Sequence, residues 1–191
     1  MIDKIMKMKI NIVLILCFIG LVSLAAKPVD KMKFGMRLGW QNSNLKNNGN
    51  SMFDGAYNGF FIGVFGDKQI SKSGLTEINV GLTYYQVGSR YNENNKVTLH
   101  YLNLPVSFKV NVGPAYGFAG LNGAIKIGGQ SYLLGIKFDA DNFSALDAGV
   151  FIGAGATFSR VGVEAKYDWG LVDLTNGYKT RYFQLGLMVY F

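Results

Sequence analysis

The sequence has very little of the residues that build disulfide, thiol or transition-metal chemistry. It holds one cysteine, Cys17, and one histidine, His100, among 191 residues. Cys17 lies in an apolar run near the N-terminus, so the rest of the chain offers no disulfide framework. No group of histidines and cysteines has the spacing of a transition-metal site, and no glycine-rich loop precedes a helix to cradle phosphate. The sequence therefore predicts no cofactor and no metal.

Long apolar runs and concentrated charge are also scarce. Beyond the run Ile10–Leu24 no stretch reaches the ~20 apolar residues that a spanning helix needs, which excludes a helical membrane protein. No cluster of lysines or arginines forms the concentrated basic surface that nucleic-acid binding requires. We therefore expect no nucleic-acid partner.

The N-terminal residues have the pattern of a secretory signal peptide. The apolar run Ile10–Leu24 is preceded by basic residues and followed by small ones, which are Lys4, Lys7, Lys9, Ala25 and Ala26. This order is typical of a signal peptide, and the run is too short for a membrane span. We expect residues 1–26 to be removed by cleavage near Ala25 or Ala26.

The predicted mature chain, residues 27–191, has a length of about 165 residues, which fits a single domain. Removing three lysines and one aspartate with the signal peptide leaves 16 basic and 11 acidic residues, a net charge of +5. The bulky Leu16 before Cys17 disfavours lipoprotein processing. We expect an exported, weakly basic single domain without a lipid anchor.

Eight segments of residues 27–191 alternate between apolar and polar or small side chains. They lie at roughly 32–41, 56–66, 77–84, 101–109, 115–128, 147–158, 163–170 and 181–191. A period of two predicts strands with two different faces. In the second segment two phases compete, and we take Phe60, Ile62 and Val64 as the outward set.

The predicted connections alternate in length, with longer loops after the first, third, fifth and seventh segments. Barrels of the outer membrane have an even strand count, short periplasmic turns and longer external loops. The sequence therefore predicts an all-β fold, namely an eight-stranded antiparallel up-and-down transmembrane β-barrel. Both termini would be periplasmic, and the domain would occupy residues 27–191.

Aromatic residues on the apolar faces separate into two groups when the strands are aligned in alternating directions. The group at the loop end is Trp40, Phe60, Tyr84, Trp169 and Phe183, and the group at the turn end is Phe34, Phe108, Phe158 and Phe191. Aromatic rings favour the two membrane interfaces, so two girdles around an aliphatic band indicate a lipid-facing surface. A soluble barrel or sandwich is the alternative, and the girdles and the signal peptide disfavour it.

The charged residues of the strands fall on the opposite face, which would line the barrel interior. They are Lys33, Arg37, Glu77, Lys109, Lys126, Asp147, Glu164, Lys166 and Asp168. Buried charges are tolerated when they are paired and hydrogen-bonded, and side chains can fill the interior of eight strands. We therefore predict a salt-bridged plug of side chains rather than an open channel.

Several short motifs resemble the PorT-like outer-membrane β-barrel proteins of Bacteroidota. The segment Tyr101–Pro105 looks like their Tyr-Leu-x-(Ile/Leu)-Pro motif. The segments 147–155 and 167–171 and the aromatic-ended last strand are also similar to that family. Asn103 stands where glutamate is common, and Ala148 where a bulky residue is common. The resemblance implies an outer-membrane location and a small eight-stranded barrel. Some relatives are associated with protein secretion, but the family has no active site to carry over.

Three classes of function remain from the sequence. The first is a barrel without enzymatic activity that has a structural role or binds a protein partner through its loops. The second is a narrow pore or an accessory of protein secretion. The third is a lipid-modifying enzyme with His100 as the base, which is disfavoured because no carboxylate lies near His100 to orient it.

The predicted external loops, 42–55 and 130–144, contain the aromatics Phe53, Tyr132 and Phe143 and are the expected contact surfaces. The other expected partners are outer-membrane lipid and the barrel assembly machinery. The terminal Phe191 would belong to the signal that this machinery recognises.

Overall fold

The fold is known from a computed structural model that describes residues 32–47, 50–52, 55–71, 73–92, 95–140 and 142–191. The predicted signal peptide and Phe53 lie outside the described residues. No helix in the described ranges is long and apolar enough to cross a membrane.

The described chain forms ten strands. They are β1 (Lys33–Asn47), β2 (Asn50–Ser51), β3 (Gly55–Gln69), β4 (Thr76–Asn92), β5 (Asn95–Val112), β6 (Ala115–Leu133), β7 (Ile136–Asp139), β8 (Leu146–Phe158), β9 (Val161–Gly170) and β10 (Lys179–Tyr190). Eight of them are long and are antiparallel to their neighbours, whereas β2 and β7 are short additions to β1 and β6.

The sheet closes into a barrel because its first and last strands pair. β10 runs antiparallel to β1 from Gly35↔Tyr190 to Lys46↔Lys179. Closure leaves the eight long strands without a free edge along the paired region. The structure thus confirms the predicted closed eight-stranded antiparallel barrel. We call the end with the β3–β4, β5–β6 and β8–β9 connections the turn end, and the opposite end the loop end.

Alternation of side chains determines which residues face inward. Phe60, Ile62 and Val64 are 50%, 42% and 49% exposed, whereas Phe61 and Phe65 are buried inside the barrel. The structure therefore confirms the chosen phase of the second predicted strand. Apolar side chains exposed on the outside and polar ones buried inside are the reverse of a soluble protein and match a barrel in lipid.

The strands extend further toward the loop end than the sequence predicts. The longer loop predicted after the third segment, between residues 84 and 101, is mostly strand, because β4 and β5 remain paired up to Asn92↔Asn95. The predicted loop at 130–144 contains the end of β6 and all of β7. The prediction of a long loop after the third long strand, β4, is therefore wrong. Backbone pairing continues there even though the side chains become polar.

Close packing inside the barrel depends on small residues at selected positions. A Cβ atom added to Gly39 would lie 2.6 Å from the Cα atom of Gly186 and 2.8 Å from the ring of Phe61. Glycine in a strand often marks such a close approach. Gly39 therefore makes room for a large neighbour that fills the interior.

Candidate functional site: a filled interior and a girdled outer face

A cluster of charges near the turn end is built around Asp67. Its carboxylate accepts hydrogen bonds from the Lys109 ammonium group at 2.9 Å, the Tyr190 hydroxyl at 2.8 Å and the Asn79 amide at 2.6 Å. The Lys109 ammonium group also lies 3.5 Å from Glu77. Hydrogen bonds to ionised groups are stronger than neutral ones. This cluster therefore links four strands of the barrel at one level.

Asp67 is a central interior residue that the sequence analysis missed. The second predicted strand, 56–66, ends one residue before Asp67, but β3 continues to Gln69 and Asp67 is 1% exposed. The alternation could have shown this, because Asp67 continues the inward series of Phe61 and Phe65 by steps of two. Adding Asp67 to the predicted set of interior charges brings that set to five cations and five carboxylates.

Two further ion pairs occupy the middle of the barrel. The Arg37 guanidinium lies 3.3 Å from Glu164 and donates to Asn79 at 2.8 Å. The Lys166 ammonium group lies 3.8 Å from Asp168. Both cations also lie over aromatic rings, Arg37 at 4.5 Å from the centre of Phe65 and Lys166 at 4.6 Å from that of Phe151, which adds a favourable electrostatic contact.

Two of the predicted interior cations are placed differently. Lys126 has no carboxylate partner within the described ranges. Its ammonium group instead donates to the carbonyl oxygens of Ala140 at 2.7 Å and Phe143 at 2.6 Å. Lys33 is at the turn-end rim with its side chain 61% exposed, 3.6 Å from Glu77. The predicted network therefore splits into separate clusters, and Lys126 holds a loop rather than pairing with a charge.

A layer of aromatic and polar side chains lies above the ion pairs, toward the loop end. Tyr85 stacks with Tyr101 at a ring distance of 5.6 Å and packs against Tyr182 at 5.3 Å. Asp147 is buried in the same half of the barrel and accepts a hydrogen bond from Thr180 at 2.9 Å. In the part of the chain that is described, Asp147 has no basic partner. The tyrosine stack thus occupies much of the interior at this level.

An apolar cap closes the interior at the loop end. We use this name for the buried side chains Leu45, Val87, Val97, Leu99, Ala140 and Leu174. Phe143 packs against the cap and is only partly buried. Phe143, predicted as part of a contact surface, therefore faces the barrel interior instead.

The arrangement leaves little free space in the interior. A cavity among the charged side chains, lined by Arg37, Lys109, Glu164 and neighbouring residues, has a volume of about 10 Å³. That volume holds about one water molecule. Side chains therefore occupy the barrel at the level of the ion pairs, of the tyrosine stack and of the apolar cap.

The predicted girdle aromatics all lie on the outer side of the barrel. At the loop end Trp40 contacts Phe183 at a ring distance of 6.3 Å, and Phe60 contacts Tyr84 at 5.6 Å. Trp169 belongs to the same group. At the turn end the large exposed aromatics are Phe34, Phe108, Phe158 and Phe191.

His100 is part of the loop-end girdle. Its Nδ1 atom lies 2.7 Å from the Tyr84 hydroxyl, and the two rings stack at 6.0 Å. Gln86 donates to the same hydroxyl at 3.1 Å. No carboxylate contacts His100 among the residues described, and no group of three or more metal-ligating side chains occurs among them. The geometry around His100 is that of an interfacial aromatic cluster.

Comparison with known proteins identifies a family. The model of the family described as outer membrane protein beta-barrel domain matches residues 26–176. Comparison with curated protein sequences gives no match.

Two solved structures share the fold of this chain. Neisserial surface protein A has a TM-score of 0.61 and 12% identity, covering 85% of this chain and 100% of the other. Ail, the attachment invasion locus protein of Yersinia pestis, was solved in complex with the heparin analogue sucrose octasulfate. It has a TM-score of 0.50 and 14% identity, with the same coverage.

Proposed function

The chain belongs to the outer membrane protein β-barrel domain family, and from that premise we propose that it is a non-enzymatic barrel with a closed interior that acts through its loop end. The single observation that carries the proposal is the filled interior. Among the described residues, ion pairs, stacked tyrosines and the apolar cap occupy the interior at three successive levels, which supports an interior closed to solutes of porin size. A barrel that does not conduct solutes offers its outer ends and its lipid-facing surface for function.

We propose that the loop end faces the cell exterior and that both termini are periplasmic. The short connections at the turn end and the longer strands and loops at the other end support this orientation. We also keep the signal peptide in residues 1–26 as a proposal, supported by the family match that begins at residue 26. Assignment to the PorT-like subgroup of Bacteroidota is supported by the motifs at residues 101–105, 147–155 and 167–171.

A protein partner at the loop end is supported by exposed apolar side chains beyond the girdle. Leu134 and Ile136 are 80% and 61% exposed, and Phe138 is 50% exposed. All three belong to the β6–β7 hairpin, and exposed apolar patches outside lipid often mark interaction sites. Co-purification from native outer membranes would distinguish a solitary barrel from an accessory of a secretion complex.

The test of the closed interior is conductance in planar lipid bilayers. We expect the purified, folded protein to give no large stable steps at neutral pH, because the charged interior is paired and the apolar cap excludes water. A porin of the outer membrane, reconstituted in the same bilayers, is the positive control. Stable porin-sized steps from this protein would contradict the proposal. Lipid deacylase or acyltransferase activity that is lost in His100→Ala would instead favour an enzyme.

A further inference from the structure

We propose that a basic strip on the outer face of β1 and β10 binds the phosphorylated headgroup of a glycolipid in the outer leaflet. The basic strip consists of Lys46, Lys179 and Arg181. The inference goes beyond the proposed function, but it rests on the proposed orientation with the loop end outside.

The sheet register places these three cations together on the outside of the barrel. Lys46 is directly opposite Lys179 in the β1–β10 pair. Arg181 follows Lys179 by two residues, so it lies on the same face. The intervening Thr180 is buried inside the barrel, which confirms that Lys179 and Arg181 face outward.

Like charges at directly opposite positions destabilise a strand pair unless an anion lies between them. The local anionic partner is weak. Among the residues that the structure describes, Lys179 is the one member of the strip with a carboxylate within reach, Asp173 at 3.7 Å. Both of these side chains are exposed, and exposed ion pairs contribute little. Lys46 and Arg181 have no ion pair in the described ranges. The basic strip is therefore suited to an external multivalent anion.

The basic strip lies at and just above the level of the lipid headgroups. Arg181 pairs with Trp169 of the girdle and lies two residues beyond the girdle residue Phe183. At ~3.4 Å per residue and a tilt of ~45°, Arg181 and Lys179 lie about 5 and 10 Å above Phe183. The headgroup layer extends about 5–7 Å beyond the hydrocarbon on each side. The backbone of Arg181 therefore lies within this layer, whereas that of Lys179, and of Lys46 opposite it, lies about 3–5 Å above it, a distance that a long lysine side chain can span.

Below the basic strip, toward the turn end, the outer face of β1 and β10 changes from charged to apolar. The outward residues of β10 from Phe183 to Phe191 are apolar, as are those of β1 from Phe34 to Trp40. Acyl chains can therefore lie against the aliphatic band while the phosphates contact the basic strip. Basic residues near a membrane surface bind anionic headgroups in this way. The same glycolipid is then held at both ends.

The test measures glycolipid retention by protein reconstituted in nanodiscs of neutral phosphatidylcholine that contain bisphosphorylated lipid A. Retained lipid A is quantified by native mass spectrometry. We expect the triple variant Lys46→Gln, Lys179→Gln and Arg181→Gln to bind at least about tenfold more weakly, because each cation contributes to headgroup binding. The wild-type protein should also bind dephosphorylated lipid A at least about tenfold more weakly.

Two control variants distinguish a loss of binding caused by removal of the basic strip from one caused by lower net charge or by misfolding. The triple variant Lys33→Gln, Lys68→Gln and Arg160→Gln removes the same charge at the turn end and should retain lipid A as the wild type does. The charge-preserving variant Lys46→Arg, Lys179→Arg and Arg181→Lys should do the same. Heat-modifiable gel mobility verifies that every variant is folded.

Equal retention of phosphorylated and dephosphorylated lipid A, or unchanged retention by the first triple variant, would overturn the proposal. So would an equal loss in the turn-end control. A separate experiment tests the orientation on which the proposal depends. A membrane-impermeant maleimide should label Lys137→Cys but not Arg160→Cys on intact cells, because Lys137 lies in β7 and Arg160 in a turn-end connection. The reverse labelling, with phosphate-dependent binding intact, would refute the orientation and the lipid's location but leave the basic strip as an anion site.

Discussion

At the scale of single residues, Asp67 is the carboxylate around which the turn-end charge cluster is built. Three donors bind its carboxylate, and they come from three different strands, β4, β5 and β10. Because Asp67 is 1% exposed, water cannot replace those contacts if the carboxylate is removed. The cost of losing a buried partner is the cost of an uncompensated charge.

We therefore expect Asp67→Ala to lower the free energy of unfolding by about 3 kcal/mol, since Lys109 then loses its nearer carboxylate and Glu77, at 3.5 Å, is the carboxylate that remains beside it. Asp173→Ala is the matched control, because it removes the exposed partner of Lys179, and it should change stability by less than about 1 kcal/mol. Urea unfolding in detergent micelles measures both. Similar effects of the two substitutions would show that the interior cluster does not stabilise the barrel.

At the scale of elements, β5 crosses two environments along one face. Its outward residues are apolar over the eleven residues from Leu102 to Val112, which is the length of a tilted transmembrane strand. The next outward residues toward the loop end are His100, Thr98 and Lys96. The change at His100 coincides with the girdle contact to Tyr84. The upper boundary of the lipid band is therefore near His100.

This boundary predicts different effects of one substitution at two positions of the same face. Leu104→Arg places a cation in the hydrocarbon and should destabilise the barrel by about 2–4 kcal/mol in lipid vesicles. Thr98→Arg lies beyond the girdle and should change stability by about 0–1 kcal/mol. Equilibrium unfolding in vesicles compares the two variants. Equal costs at both positions would indicate that the outer face of β5 does not pass from lipid to water at His100.

At the scale of the whole molecule, the pairing of the two chain ends completes the barrel. The backbone amide of Phe191 donates to the carbonyl oxygen of Phe34 at 3.0 Å, at the turn-end limit of the β1–β10 pair. The Phe191 side chain is 74% exposed. It is thus accessible from outside at the seam where the last strand meets the first, which suits the proposed role in recognition by the assembly machinery.

Deletion of Phe191 should therefore reduce the amount of folded protein in the outer membrane severalfold. Phe158→Ala, which removes another exposed aromatic of the turn-end girdle, should have a smaller effect. The readout is the heat-modifiable fraction in isolated outer membranes. If both changes reduce the folded fraction equally, Phe191 acts only as a girdle residue, and the role in assembly would be lost.

Much of the fold could be predicted from the sequence, because the property that determines it is local. Side chains alternate across every strand, so the outward position of Phe60 and the inward position of Arg37 follow from neighbouring residues alone. The girdles follow in the same way once adjacent strands run in opposite directions. Strand length was less predictable, since pairing between β4 and β5 continues where the apolar pattern ends.

The sequence by itself determined the eight-stranded barrel, its lipid-facing side and the set of charges that line its interior. Only the tertiary structure decided which groups meet, because partners inside a barrel come from strands far apart in the chain. Register brings Lys109 to Asp67, and it brings Lys126 to the carbonyl oxygens of a loop rather than to a carboxylate. Register also places Lys46 opposite Lys179. These contacts form only when the strands pair into a closed barrel, and the sequence of a single strand does not show which residues will then meet.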